Sequence, residues 1–178
     1  MEDFSNVFLM QSRPFGEYWA QNYLLDNFRG FRDPHEYDPN FKNEYDLLYQ
    51  IDDNNFIKIE VKAARMLKAQ KDYRETLLDR AATVEEKYEV DRFSFLQIKS
   101  YCADVFVLMC VFKDGIKYFV FSANDIVNYD HYSDKQHRGN VGEGQISVSS
   151  ANFDELLSLE VPKSKLTKAI VEAYNSIA

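Results

Sequence analysis

The stretch Phe56–Lys62 reads FIKIEVK and, from Ile57 onward, alternates between apolar and charged side chains. Because successive side chains of a β-strand point to opposite faces, this alternation predicts a strand with one apolar and one charged face. The charged face carries Lys58, Glu60 and Lys62, which are spaced about 7 Å apart along the strand. A solvated edge of a sheet gives the same pattern, so the pattern alone leaves two interpretations open.

A hairpin is predicted around this strand. Residues 44–51 and 55–63 are both strand-like, and the Asp-Asp-Asn run between them is turn-forming. The turn folds Asp46 back toward Glu60. Two carboxylates that converge beside a lysine suit an oxygen-ligated divalent ion next to an activated water. Glu44, two positions earlier on the same face, is an alternative to Asp46 as the ligand.

The rest of the chain predicts an α/β fold. Residues 103–112 are almost all apolar, which indicates a central strand buried on both faces. Further strands are predicted at 93–99, 116–121 and 145–148. Helices are predicted at 14–28 and 163–177, one long or two short helices at 64–91, and a helical turn at 124–127. Polar loops are predicted at 32–42 and 128–144. We expect a single domain over residues 1–178, with a mixed β-sheet of about five strands flanked by helices.

Composition and charge exclude several classes of protein. Apolar residues make up 46% of the 178 residues, which is enough for a hydrophobic core. The net charge of −8 excludes a basic protein that coats nucleic acid. No apolar run reaches the ~18 residues of a membrane helix, and the acidic start differs from a secretory signal, so a cytoplasmic location is expected. No organic cofactor is expected, because nucleotide-binding glycine motifs are absent.

The segment 58–80 is locally basic. It holds seven Lys and Arg against four Asp and Glu, in a chain whose net charge is −8. Basic residues recur at every third position and would form a slowly rotating stripe on a helix: Lys62, Arg65, Lys68, Lys71 and Arg74. Such a stripe could position phosphates beside the candidate site. An ordinary salt-bridged surface helix is the alternative interpretation.

The spacing of the charged residues in the hairpin resembles the PD-(D/E)xK nuclease superfamily. Asp46 is followed after thirteen residues by Glu60-Val61-Lys62, and Tyr45 stands in place of the proline of the family name. The order of the later segments is similar to that of small type II restriction endonucleases: 97–99, 103–108 and 118–122. The resemblance implies a restriction-endonuclease-like fold and a Mg2+-dependent DNA endonuclease.

The resemblance also implies a role for each residue of the motif. Asp46 and Glu60 would ligate Mg2+, with the Val61 carbonyl as a further protein ligand. Lys62 would orient or help deprotonate the attacking water and offset charge on the phosphate. Glu17 matches an acidic helix residue that many members place near a second metal, and an exposed helix carboxylate is its alternative interpretation. Without a divalent ion, a group of carboxylates would repel the phosphodiester.

Two further groups of residues are candidates for contacts with DNA. Lys68 and Lys71 would contact phosphates from the basic segment. Gln97, on the strand after the motif, would contact the site or be a plain edge-strand glutamine. The polar loop at 129–145 is either mobile or used for recognition, and it holds side chains suited to base edges or phosphates: Gln136, His137 and Arg138.

The expected function is that of a type II restriction enzyme acting on double-stranded DNA. A homodimer is expected, because the two-fold symmetry of a palindromic site is matched by a two-fold protein. The alternatives are a repair or structure-specific nuclease of the same fold, and a non-catalytic acidic protein that mimics DNA. The presence of Asp46, Glu60 and Lys62 together argues against the mimic.

Overall fold

Two β-sheets form the framework of the protein. The computed structural model describes residues 2–135 and 141–177. Within these residues it has eight strands: β1 (Phe31–Arg32), β2 (Leu47–Gln50), β3 (Phe56–Arg65), β4 (Phe93–Ile98), β5 (Val105–Val111), β6 (Ile116–Ser122), β7 (Tyr132–Lys135) and β8 (Val141–Val148). The larger sheet has the order β1-β2-β3-β5-β6, and the smaller sheet has the order β4-β8-β7.

The five-stranded sheet is mixed, as the sequence predicts. β3 and β5 run parallel, and the other neighbouring strands in this sheet run antiparallel. A parallel pair needs a long connection between its strands, and residues 66–104 provide it. All seven residues of β5 are buried, which confirms the central strand predicted at 103–112.

Helical segments lie at both ends of the chain, as predicted. The α-helices have the following bounds: α1 (Ser12–Pro14), α2 (Ala20–Asn27), α3 (Ala123–Val127), α4 (Phe153–Leu157) and α5 (Leu166–Asn175). A π-helical turn, Phe15–Trp19, joins α1 to α2, so one helical segment is continuous from Ser12 to Asn27. Short 3-10 turns complete the helical elements: Ser5–Leu9, Pro34–Glu36, Lys87–Glu89 and Lys163–Lys165. In the part of the chain that the structure describes, no helix has the length and apolar character needed to cross a membrane.

The two faces of the five-stranded sheet bury different partners. On one face, Leu24 of α2 and Ile170 of α5 pack in a core with inward side chains of β3 and β5. On the other face, β5 and β6 pack against the smaller sheet, where Phe95 and Ile146 are buried. The sequence predicts β4 as a strand but does not predict that it belongs to a second sheet. Because this second sheet covers part of one face, helices flank only part of the larger sheet.

The prediction of a polar loop at 128–144 is wrong over most of its described residues. Tyr132–Lys135 and Val141–Val148 pair as the antiparallel strands β7 and β8. Gly144 is needed in this hairpin because a side chain there would collide with the ring of Tyr132. At Gly144, a glycine that favoured a loop prediction therefore reflects close packing between two strands.

The predicted helix at 64–91 is also wrong. β3 continues to Arg65, and the Met66 N–H then donates to the carbonyl of Val111, which keeps the chain extended beside β5. Isolated bridges connect parts of the irregular segment that follows: Leu67 with Ala81, and Lys68 with Val90. Met66 is fully buried, so its packing on the sheet outweighs the helix-like spacing of the charges.

Candidate active site

The β2–β3 hairpin places Asp46 at an open edge of β3. The two strands are paired as far as Leu47 and Ile59, and β3 then runs on to Arg65 without β2 beside it. The Asp46 carboxylate takes the place of a paired strand, because its Oδ2 accepts a hydrogen bond of 2.7 Å from the Val61 N–H. The convergence of Asp46 with the second strand of the hairpin, expected from the sequence, is therefore present.

Gln21 holds the other oxygen of this carboxylate. Its Nε2 donates a hydrogen bond of 2.7 Å from α2 to Oδ1 of Asp46. Each carboxylate oxygen thus accepts one hydrogen bond and keeps a lone pair for a cation. Gln21 is not among the residues predicted from the sequence, although its position four residues after Glu17 indicates that the two share a helix face. Both side chains line the same cleft.

Glu60 and Lys62 form an ion pair on the charged face of β3. Lys62 Nζ lies 2.6 Å from Glu60 Oε1, and Glu60 is only 8% exposed. The Cys102 thiol is hydrogen-bonded to the same carboxylate, and burial together with the charge of Glu60 raises the pKa of this thiol to about 12. The burial of Glu60 shows that this face is not solvated at Glu60 and Lys62, although Lys58 on the same face is exposed.

The environment of Asp46 disfavours its negative charge. Burial raises the pKa of the Asp46 carboxyl to about 7, and the charge of Glu60 adds to this shift. The Val61 N–H and the Lys62 ammonium act in the opposite direction without cancelling it. Two acids held this close favour either a shared proton or a cation, so the pair offers a place for a divalent ion.

The donors at this place fit a hard cation such as Mg2+. Within residues 2–135 and 141–177, no three His, Cys, Asp or Glu side chains are grouped so that they could hold a metal. Mg2+ is commonly bound through one or two carboxylates and keeps several waters. The N–H and C=O of a strand residue point to the same edge, so the Val61 carbonyl faces the side on which Asp46 lies. Asp46, Glu60 and the Val61 carbonyl can therefore hold Mg2+ together.

Glu17 and Glu44 line the cleft beside these residues. Glu17 is ion-paired with Arg13 at 2.8 Å, and the two side chains are 52% and 83% exposed. Glu44 is exposed, and it is Asp46 that bonds to the Val61 N–H. The structure therefore favours Asp46 over Glu44 as the ligand from the first strand. A role of Glu17 at a second metal stays a prediction.

Unusual backbone conformations border the cleft, which has a volume of about 680 Å³. Two of its lining residues, Asn43 and Gln97, have positive φ angles of 55° and 56°. Gln97 lies where the pairing of β4 is irregular between Phe95 and Ile98, and Glu17 lies in the π-helical turn. Such features cost conformational free energy and are common at functional sites. Their convergence on one cleft supports a functional role for it.

The residues predicted to contact DNA differ in their position relative to the cleft. Gln97 lines the cleft together with Lys62, in agreement with a position near the site. Lys68 is ion-paired with Glu86 at 2.9 Å, and Lys71 is exposed. Because residues 64–91 contain no α-helix, these lysines do not form the helical stripe, and their contact with phosphates stays a prediction. The other three candidates lie outside the described residues: Gln136, His137 and Arg138.

Arg65, another member of the basic segment, has a structural role. Its guanidinium donates to the Met10 carbonyl at 2.6 Å and to Ser12 Oγ at 3.1 Å, and it lies over the ring of Phe15. These contacts tie the end of β3 to the start of the helical segment that carries Gln21. Arg65 therefore joins two elements of the site to each other.

Four neighbouring residues define the centre of this arrangement, and we call them the acid site: Asp46, Glu60, Val61 and Lys62. Gln21 supports the acid site from α2. No protein-family model, curated protein or solved structure matches the chain.

Proposed function

We propose that this protein is a Mg2+-dependent DNA endonuclease with a restriction-endonuclease-like fold, and that it acts as a type II restriction enzyme. One observation carries the proposal. Asp46 and Glu60 lie beside each other at the open edge of β3, and the Lys62 ammonium is 2.6 Å from Glu60. Two carboxylates and an ammonium at one place in a cleft suit metal-assisted hydrolysis of an anionic ester.

The position of the acid site within the sheet supports the proposed fold. The residues that resemble the nuclease motif, Asp46 and Glu60-Val61-Lys62, lie on one hairpin, at its open end. β3 of this hairpin is also the strand that pairs in parallel with the buried β5. A rigid, buried neighbour of this kind holds functional side chains more accurately than a loop does.

Each residue of the acid site has a distinct task in the proposed reaction. Bound Mg2+ would supply Lewis-acid chemistry, which activates water and stabilises charge on the phosphate. Asp46 and Glu60 would hold the ion, and the hydrogen bonds from Gln21 and the Val61 N–H keep Asp46 in one orientation. Lys62 Nζ lies at the same place, where it orients the attacking water and offsets negative charge that develops on the phosphate.

The charge of the acid site accounts for a metal requirement. When Asp46 is ionised, the two carboxylates of the site exceed its one ammonium in charge, in a chain whose net charge is −8. A scissile phosphate is repelled by this excess unless a divalent cation inverts the local charge. We therefore expect DNA to bind far more tightly in Mg2+ or Ca2+ than in EDTA.

Double-stranded DNA is the proposed partner, and the cytoplasm is the proposed place of action. A homodimer is the proposed form, because each subunit would then present its acid site to one strand of a palindromic sequence.

Cleavage of supercoiled plasmid DNA tests the proposal. In Mg2+ we expect discrete and reproducible fragments, and in EDTA we expect intact plasmid. Cutting that depends on damage or branching rather than on sequence would favour the repair or structure-specific nuclease. If no divalent ion supports cutting and the protein instead inhibits DNA-binding enzymes, the proposal is overturned in favour of the acidic DNA mimic.

A further inference from the structure

Two clefts meet at the acid site. The first has a volume of about 680 Å³ and the second about 480 Å³, and both are within the range of ligand-binding clefts. They have six lining residues in common: Arg13, Glu17, Gln21, Asp46, Lys62 and Gln97. The second cleft continues between the start of the helical segment, at Ser12 and Gly16, and β4, at Ser94 and Leu96. The acid site therefore lies at the junction of two grooves.

The two clefts differ in charge away from the residues that they have in common. Apart from Glu60 of the acid site, the first cleft alone is lined by three carboxylates, one ammonium and one imidazole: Asp33, Glu44, Glu143, Lys99 and His35. Among the described residues, those that line the second cleft alone include no ionisable side chain. A polyanion is therefore repelled by the first cleft and much less by the second.

Gly16 leaves room in the second cleft. It lies inside the continuous helical segment, where alanine is favoured over glycine. A Cβ atom at this position would have no neighbouring atom within 4 Å, and the φ angle of Gly16 is not positive. Neither packing nor backbone conformation within the described residues requires a glycine here. The absent side chain leaves space for a ligand.

The walls of the second cleft offer groups that suit a nucleotide chain. Leu96 is 48% exposed and presents an apolar surface to a sugar or base. Ser12 and Ser94, on opposite walls, carry hydroxyl groups that can bond to phosphate oxygens. Arg13 and Lys62 place two cations at the junction, next to the acid pair.

We propose that the DNA strand to be cut lies along the second cleft, between the helical segment and β4, and that the first cleft remains free of phosphates. This inference rests on the proposed function. The strand passes Gly16 and Ser94 and presents its scissile phosphate to Lys62 at the junction. The carboxylates of the first cleft keep neighbouring phosphates from entering on the opposite side.

A leucine introduced into each cleft in turn tests this path. Gly16→Leu fills the second cleft, and Asn22→Leu, on the same helical segment, adds bulk to the first cleft only. The measurement is the Kd for a DNA duplex in Ca2+ at fixed salt. We expect Gly16→Leu to raise the Kd about tenfold or more, equivalent to about 1.4 kcal/mol, and Asn22→Leu to change it less than about twofold.

Thermal unfolding without DNA controls for damage to the fold. Gly16→Leu should unfold at or above the wild-type temperature, because leucine is a better helix former than glycine. If this variant does not fold, Ser94→Leu makes the same test from the opposite wall. The proposed path is overturned if the second-cleft variant binds DNA as tightly as the wild type, or if only Asn22→Leu binds more weakly. Either result is compatible with Mg2+-dependent cleavage by the wild type. A wild-type protein that does not cut DNA in Mg2+ overturns both the path and the proposed function.

Discussion

Replacing Asp46 with asparagine should stabilise the metal-free protein above pH 7. Burial and the charge of Glu60 raise the pKa of Asp46 from 3.8 to about 7. Between these values the folded protein keeps a proton that the unfolded chain has released, so the free energy of unfolding falls as the pH rises. Above about pH 7 the folded protein bears the full cost of ionising this carboxyl. Asparagine does not ionise, so the variant avoids that cost.

The expected gain is about 2 kcal/mol at pH 8. The difference between a pKa of 3.8 and one of about 7 corresponds to roughly 4 kcal/mol. The substitution also changes the contacts of this side chain, so it recovers only part of this free energy. The asparagine oxygen can still accept from the Val61 N–H. Its amide group faces the Gln21 amide, however, and this contact costs about 1 kcal/mol.

Urea unfolding at pH 6 and pH 8, in EDTA and in Mg2+, measures the effect. In EDTA the stabilisation by Asp46→Asn should grow from pH 6 to pH 8. In Mg2+ the wild type should gain about 2.7 kcal/mol when the ion is at 100 times its Kd, and Asp46→Asn should gain much less. Asp53→Asn, at the exposed turn of the same hairpin, is the control and should show neither effect. A destabilised Asp46→Asn at pH 8 in EDTA would refute the reasoning.

Three other predictions concern support of the acid site and contact with DNA. Gln21→Met keeps the volume of the side chain but removes the amide that donates to Asp46. The Mg2+ concentration for half-maximal cleavage should therefore rise about tenfold. An unchanged Mg2+ titration would exclude a supporting role for Gln21. Arg65→Ala should lower the free energy of unfolding by about 2 kcal/mol, because backbone carbonyls lose their donor. It should leave the salt dependence of DNA binding unchanged, whereas Lys71→Ala should reduce the salt slope by about 1 and leave stability unchanged. Arg138→Ala should lower the ratio of cognate to random affinity, since arginine pairs with guanine edges, and an unchanged ratio would place recognition elsewhere.

The hairpin that carries the acid site could be predicted because its signals are local. The alternation in Phe56–Lys62 determines that Glu60 and Lys62 share a face, and the turn before it places Asp46 near them. The apolar run at 103–112 likewise identifies a central strand without knowledge of its neighbours. These elements depend on side-chain period and turn composition, which a short stretch of sequence contains.

Features that depend on distant parts of the chain could not be predicted in this way. Gln21 reaches Asp46 only because α2 packs beside β3. The charges at every third position in the basic segment resemble a helix, but Lys68 pairs with Glu86 and the burial of Met66 keeps the chain extended. Tertiary contacts therefore override the local pattern in this segment.

Cleavage by Lys62→Met at saturating Mg2+ is the most direct test of the acid site. Methionine keeps most of the lysine stem and removes the ammonium that lies 2.6 Å from Glu60. Wild type and variant are compared in single-turnover cleavage of one duplex, with metal binding and thermal unfolding measured in parallel. We predict Mg2+-dependent cutting by the wild type and cutting about a thousandfold slower by the folded, metal-binding variant. Cutting by Lys62→Met at a rate near that of the wild type would contradict the assignment of this site.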